Sequence, residues 1–129
     1  MSTIKRFEDI EAWQLSRELY KVIFRHTCER EFAKDYGLKD QIRRSTGSIM
    51  DNIAEGFERD GNREFIQFLS YSKGSSGEVK SQLYRALDSN YIDKTAFEEL
   101  YSETDIIGSK LGTFIKYLKS SGFRGTKYK

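Results

Sequence analysis

The chain contains no proline and only one cysteine, one histidine and one tryptophan. A lone cysteine closes no internal disulfide, and one histidine with one cysteine cannot build a zinc cage. His26 and Cys28 stand two apart, so on a helix they point in different directions. A single histidine leaves no credible serine triad. Average usage would supply about six prolines, so their absence removes the usual helix breakers. No apolar run is long enough to span a bilayer. No apolar segment of the signal-peptide kind follows Met1-Ser2-Thr3-Ile4-Lys5-Arg6. The expectation is a cytoplasmic protein without a membrane partner, with Cys28 reduced and packed as a small apolar group.

What remains is one domain's length, 129 residues, enough to bury a core without staples. The formal charge of +2 is unevenly placed: Lys119, Arg124, Lys127 and Lys129 stand with no acid in residues 119–129, which leaves the rest of the chain at −2. A basic end of this kind approaches phosphates or acidic surfaces, or simply stays solvated.

Hydrophobic periodicity predicts four long helices. The first runs from about Asp9 to Cys28 with Ala12, Leu15, Leu19, Val22 and His26 inward and Trp13, Tyr20 and Phe24 on an adjoining stripe. A charged break at 29–37 follows. The second, from about Leu38 to Arg59, carries Leu38, Ile42, Ser45, Ile49 and Ile53 on one stripe. Asp60-Gly61-Asn62 predicts a turn, with Asn62 as N-cap of a third helix over about 63–89. Asp93 caps a fourth, whose Phe97, Leu100, Thr104, Ile107, Leu111, Phe114 and Leu118 form a bundle seam. Residues after Lys119 show no periodicity. The fold expectation is therefore all-α: an antiparallel up-down four-helix bundle over 1–119 and a short flexible basic tail over 120–129.

Short turns make neighbouring helices antiparallel. Counting outward from the turns places Gly47, Gly74 and Gly108 at one height. Each mid-helix glycine costs about 0.5–1 kcal/mol against alanine, so a close approach of three helices is expected there. The same count puts Arg44 near Glu78, where an interhelix pair is as natural as a contact to nucleic acid. Arg43 should bury its stem and leave its head free.

Other constellations are weak. Glu8-x-x-Glu11 and Glu55-x-x-Glu58 each place two carboxylates on one face, as in all-helical Mg²⁺-dependent nucleotide hydrolases, but the following helix offers no matching acidic pair. Gly74-Ser75-Ser76-Gly77 imitates a phosphate loop but lies inside a helix and lacks the Gly-Lys-Ser/Thr ending. Phe123 and Tyr128 among the tail cations suit stacking on single-stranded bases.

The segment Tyr36-Gly37-Leu38-x-x-Gln41-Ile42-Arg43-Arg44-Ser45-x-x-Ser48-Ile49-x-x-Asn52-Ile53-Ala54-Glu55-Gly56 resembles the signature of a bacterial four helix bundle protein family, first noticed as reading frames inside intervening sequences of 23S rRNA genes. Phe7-x-x-Ile10-x-Ala12-Trp13 and Phe68-Leu69-x-x-Ser72-x-Gly74-Ser75-x-x-Glu78 extend the resemblance over most of 7–118. Ser45 and Thr46 stand where alanines are common, and Gly77 where a bulkier residue is usual. The accessory variability protein of diversity-generating retroelements is similar. The resemblance implies an up-down bundle assembled into a homopentameric ring. It also implies RNA or DNA, or a reverse transcriptase, as partner, and Arg43, Arg44, Asn52 and Glu55 as functional or assembly positions.

These readings combine into a non-enzymatic, cofactor-free helical bundle that self-associates. Arg43, Arg124, Lys127 and Lys129 are the candidate nucleic-acid contacts. Arg44, Asn52, Glu55, Glu78, Gly47, Gly74 and Gly108 are structural or assembly candidates. The alternative is a scaffold without nucleic-acid binding.

Overall fold

The computed structural model describes residues 4–121. A 3₁₀ turn at Phe7–Asp9 leads into α1 (Glu11–Thr27), and a short α2 (Arg30–Lys34), α3 (Tyr36–Glu58), α4 (Asn62–Asp88) and α5 (Lys94–Ser121) follow. No strand occurs among the described residues. The four long helices close a square: α3 packs on α1 and α4, and α5 packs on α4 and α1. Cross-contacts run in opposite senses along each pair, with Ser48 against Ser75 and Gln41 against Arg85, so the bundle is up-down and antiparallel. The tail cations Arg124, Lys127 and Lys129 lie outside the described residues.

The stripe predicted for α3 is the buried one: Leu38, Ile42, Ser45, Ile49 and Ile53 all face the core. On α1 the inward face is displaced by one position from the expected stripe. It comprises Ala12, Ser16, Leu19, Ile23 and Thr27, while Leu15 and Val22 are only partly buried and His26 sits at the boundary. Two polar residues disguise that face. Ser16 and Thr27 satisfy their hydroxyls within their own helix, donating to Ala12 O (2.6 Å) and Phe24 O (2.7 Å). Cys28, expected inside, is exposed one position beyond α1.

The charged break at 29–37 contains α2, whose five residues are too few to show a period. Phe32 is its buried anchor and stacks on Tyr91 with ring centroids 5.0 Å apart. Asp35 then caps α3, accepting from the Leu38 N–H at 3.0 Å and from the Tyr91 hydroxyl at 2.8 Å. Both bonds favour the ionised carboxylate, and they hold the Asp35 pKa below its ordinary value. The clasp fixes the α2–α3 corner to the α4–α5 turn.

The α3–α4 turn uses Gly61 at φ 97°, a conformation glycine adopts without penalty. Gly61, not Asn62, is the N-cap of α4. Asn62 instead donates its carboxamide to Leu118 O at 2.9 Å, pinning the start of α4 to the end of α5. Asp93 caps α5 as expected, through the Ala96 N–H at 2.8 Å.

The glycine layer does not form. A Cβ at Gly47 would lie 3.8 Å from Tyr20 of α1, one at Gly108 would lie 3.1 Å from Ser76 Oγ, and one at Gly74 would meet nothing within 4 Å. Gly74 faces away from the bundle. Turn counting fixes height along a helix but not the direction in which a residue points. The close approach lies one level lower, at Gly56, where a Cβ would stand 2.6 Å from Phe68 Cβ and 3.0 Å from Phe65 Cδ1.

Candidate functional site

The family-like segment of α3 has two faces with different uses. The face toward α4 is joined by a ladder of polar contacts. Arg85 donates to Gln41 (2.8 Å), Gln82 to Ser45 Oγ (3.0 Å), Ser75 to Ser48 Oγ (3.0 Å), and Ser72 to the Ile49 carbonyl (2.6 Å). These bonds satisfy the serine hydroxyls and the Gln82 amide N–H, while the buried Gln82 Oε1 accepts no hydrogen bond. Ser45 serves here as the acceptor for Gln82.

The face toward α1 is open. Between the two helices lies a groove of about 760 Å³ lined by Arg17, Tyr20 and Lys21 from α1 and, from α3, by Arg43, Arg44, Gly47, Ser48, Met50, Asp51, Asn52 and Glu55. Five sequence candidates meet there: Arg43, Arg44, Gly47, Asn52 and Glu55. Gly74 and Glu78 are exposed on α4, and Gly108 packs at the α4–α5 seam beside Ser76; none lines the groove.

Arg43 is held rather than free. Its Nε donates to Thr27 Oγ1 at 2.8 Å, its Nη2 lies 3.5 Å from Cys28 Sγ, and its guanidinium carbon stands 4.1 Å over the Phe24 ring. A guanidinium fixed by an aromatic face and a hydroxyl keeps its charge uncompensated and its remaining N–H groups available. Arg17 also rests on a ring, 5.9 Å from the Trp13 centroid. Among the described residues no carboxylate pairs with Arg17 or Arg43.

Arg44 makes no bridge to Glu78. It pairs within its own helix with Asp40 at 2.9 Å, and its side chain is 78% exposed. The reason is azimuth: Arg44 points to the groove rim, not to the α4 seam. Such an exposed pair is worth about 0.5 kcal/mol or less, so Arg44 does not fix the bundle. Lys21 pairs similarly with Glu18 at 3.1 Å. Glu55 is occupied by Arg59 at 2.9 Å. Asn52 donates to Ser48 O (2.9 Å) and Ser48 Oγ (2.8 Å), which joins the groove floor to the α3–α4 ladder.

The groove thus presents four cations against two carboxylates, Asp51 and Glu55. Arg17 and Lys21 were not singled out by sequence. Their signal was present but diluted: they stand one helical turn apart with Glu18 between them, so the local charge reads as a mixed solvated face. Among the described residues no cluster of three or more His, Cys, Asp or Glu side chains could hold a metal ion. No helix among them is long and apolar enough to cross a membrane. Gly74 to Gly77 lie within α4 with Ser75 and Ser76 buried, so no phosphate loop exists there.

Comparisons with known proteins point one way. The family model described as 23S rRNA-intervening sequence protein matches residues 8–113. A crystal structure of a protein with unknown function from the S23 ribosomal protein family of Bacteroides thetaiotaomicron is 24% identical. It aligns over 81% of this chain and 95% of its own with a TM-score of 0.76. That likeness extends to the fold. No curated protein matches the chain.

Proposed function

Because the chain belongs to the 23S rRNA-intervening sequence protein family, we propose that it is a non-catalytic, self-associating bundle that binds nucleic acid along the α1–α3 groove. One observation carries this reading: the cations Arg17, Lys21, Arg43 and Arg44 converge on the groove walled by the family-like face of α3. Two of them rest on aromatic rings instead of acids. A cation without a carboxylate partner retains its attraction for phosphate.

Self-association is supported by apolar surface that the monomer leaves uncovered. Tyr71 and Tyr84 are each 50% exposed and Ile106 is 48% exposed. By family resemblance the assembly is a pentamer. Five copies would tether five weak grooves and five basic tails carrying Arg124, Lys127 and Lys129, multiplying affinity without new contacts. A reverse transcriptase is a further candidate partner on the same resemblance.

Titration with single-stranded RNA and DNA at rising salt tests the reading, with the mass in solution measured alongside. Affinity should fall along a straight line in log salt, with a slope near −0.7 per phosphate contacted. Binding that ignores salt, or no binding at low salt, rejects the nucleic-acid reading. A monomeric mass rejects the assembly. Deleting residues 120–129 separates tail from groove: the groove reading expects weakened but persistent binding. If that deletion leaves every partner bound as before, the scaffold reading gains.

A further inference from the structure

We infer that the groove takes single-stranded nucleic acid in particular, because Tyr20 lines it and further rings stand beside its cations Arg17 and Arg43, just outside the lining; this rests on the nucleic-acid reading above. On α1, Trp13, Arg17, Tyr20 and Phe24 follow spacings of four, three and four, so they line one face of the helix. On α3, Tyr36, Arg43 and Gly47 are seven and four apart and share the face that meets it. The two faces touch where Tyr20 packs over Gly47 and Arg43 covers Phe24.

The result is a strip of ring–cation pairs. Arg17 lies on Trp13, Arg43 on Phe24 at 4.1 Å, and Lys39 on Tyr36 at 4.7 Å. Phe24 is 40% exposed and Tyr36 is 72% exposed. A tyrosine that open contributes little to the core, so the fold does not account for its place. Residues 36 to 51 of α3 span about 22 Å at 1.5 Å per residue, which is several nucleotides' worth of an extended strand.

A paired duplex offers this strip phosphates but keeps its bases stacked on each other. An unpaired strand offers phosphates and ring faces together, and each base stacked on an aromatic side chain strengthens binding in any sequence. Another exposed aromatic cluster differs in charge. At Tyr84, Phe97 and Tyr101 the nearby cation is Lys80, and Asp105 claims it at 2.8 Å. Rings without an available cation do not attract a polyanion, so that cluster is left out of the proposal.

The test uses the full-length protein with three probes: an unstructured RNA strand of about 15 nucleotides, the duplex of the same sequence, and inorganic polyphosphate, which has no bases. Phe24→Ala and Tyr36→Ala remove the stacking surfaces, and Tyr36→Phe restores a ring. The single strand should bind at least tenfold tighter than the duplex. Each alanine variant should lower single-strand affinity roughly 5- to 100-fold. Tyr36→Phe should bind like the parent, and the polyphosphate affinity should move far less than the single-strand affinity in either alanine variant. Equal affinity for strand, duplex and polyphosphate, unmoved by either alanine, overturns the stacking inference while the electrostatic reading stands. No binding to any of the three overturns both. Tyr36 is too exposed for its loss to unfold the chain, so that variant decides the matter even if Phe24→Ala proves unstable.

Discussion

The two sides of α3 are built from similar residue types and do opposite things. Toward α4, the serines and Gln41 have partners across the seam, Gln82 leaves only its Oε1 without one, and at Gly56 the helices approach until a single methyl group would collide with Phe68. Toward α1, a groove opens between the two helices. Arg17 and Arg43 lie on rings, and its one glycine, Gly47, has ordinary van der Waals space above it. The difference teaches where this fold resides and where its surface is available for other work. A polar group buried against a partner helix must be satisfied locally, whereas a cation supported by an aromatic face keeps its charge for something outside the chain.

The sharpest way to break the contrast is Gly56→Ala. The added Cβ meets the Phe68 Cβ at 2.6 Å and the Phe65 ring at 3.0 Å. One contact is to the stem of a side chain, so the helices must separate. Urea unfolding should show a loss of about 3 kcal/mol; a loss under about 1 kcal/mol would mean the seam is looser than described. Ser72→Ala is the milder probe of the same seam. It deletes a fully buried bond to the Ile49 carbonyl and should cost about 1 kcal/mol by the same measurement.

Gly47→Ala probes the other side and should reverse the sign. Nothing lies closer than 3.8 Å, so the helix gains its propensity, about 0.5–1 kcal/mol. Destabilisation there would show that the groove is as tightly closed as the seam.

The smallest effect is at the Asp35 clasp, which serves neither side. Its carboxylate pKa is lowered first by the Leu38 N–H and then by the Tyr91 hydroxyl. A depressed folded pKa contributes stability above the unfolded value, about 3.9, and that contribution disappears as pH falls through and below it. Asp35→Asn should therefore melt slightly earlier than the parent at pH 7, and the gap should narrow as pH falls below the unfolded value. A gap that stays constant with pH would remove the ionised carboxylate from the account.

How much of this was legible in the sequence follows the same division. The α3 stripe and the α5 seam could be read because Leu, Ile and Phe repeat at helical spacing and the turns are marked by Gly61 and Asp93. The α1 face was misplaced by one residue because Ser16 and Thr27 are polar letters whose hydroxyls are satisfied inside the helix. Periodicity sees only composition. The glycine layer failed because register from turns supplies height without azimuth, and the same gap misdirected Arg44 toward Glu78. The groove was half legible. Arg43, Arg44, Gly47, Asn52 and Glu55 were singled out on α3, but Arg17 and Lys21 on α1 were not, since only the packing of two helices shows which mixed-charge faces meet.

The most direct test of the central claim is the salt dependence of single-stranded RNA binding for the parent chain and for the double variant Arg17→Gln with Lys21→Gln. If the four groove cations each contact a phosphate, the slope of log affinity against log salt is near −2.8 or steeper for the parent. It becomes shallower by about 1.4 in the double variant, at an unchanged melting temperature. Two parallel lines of equal slope would contradict the account and move the binding surface elsewhere on the molecule.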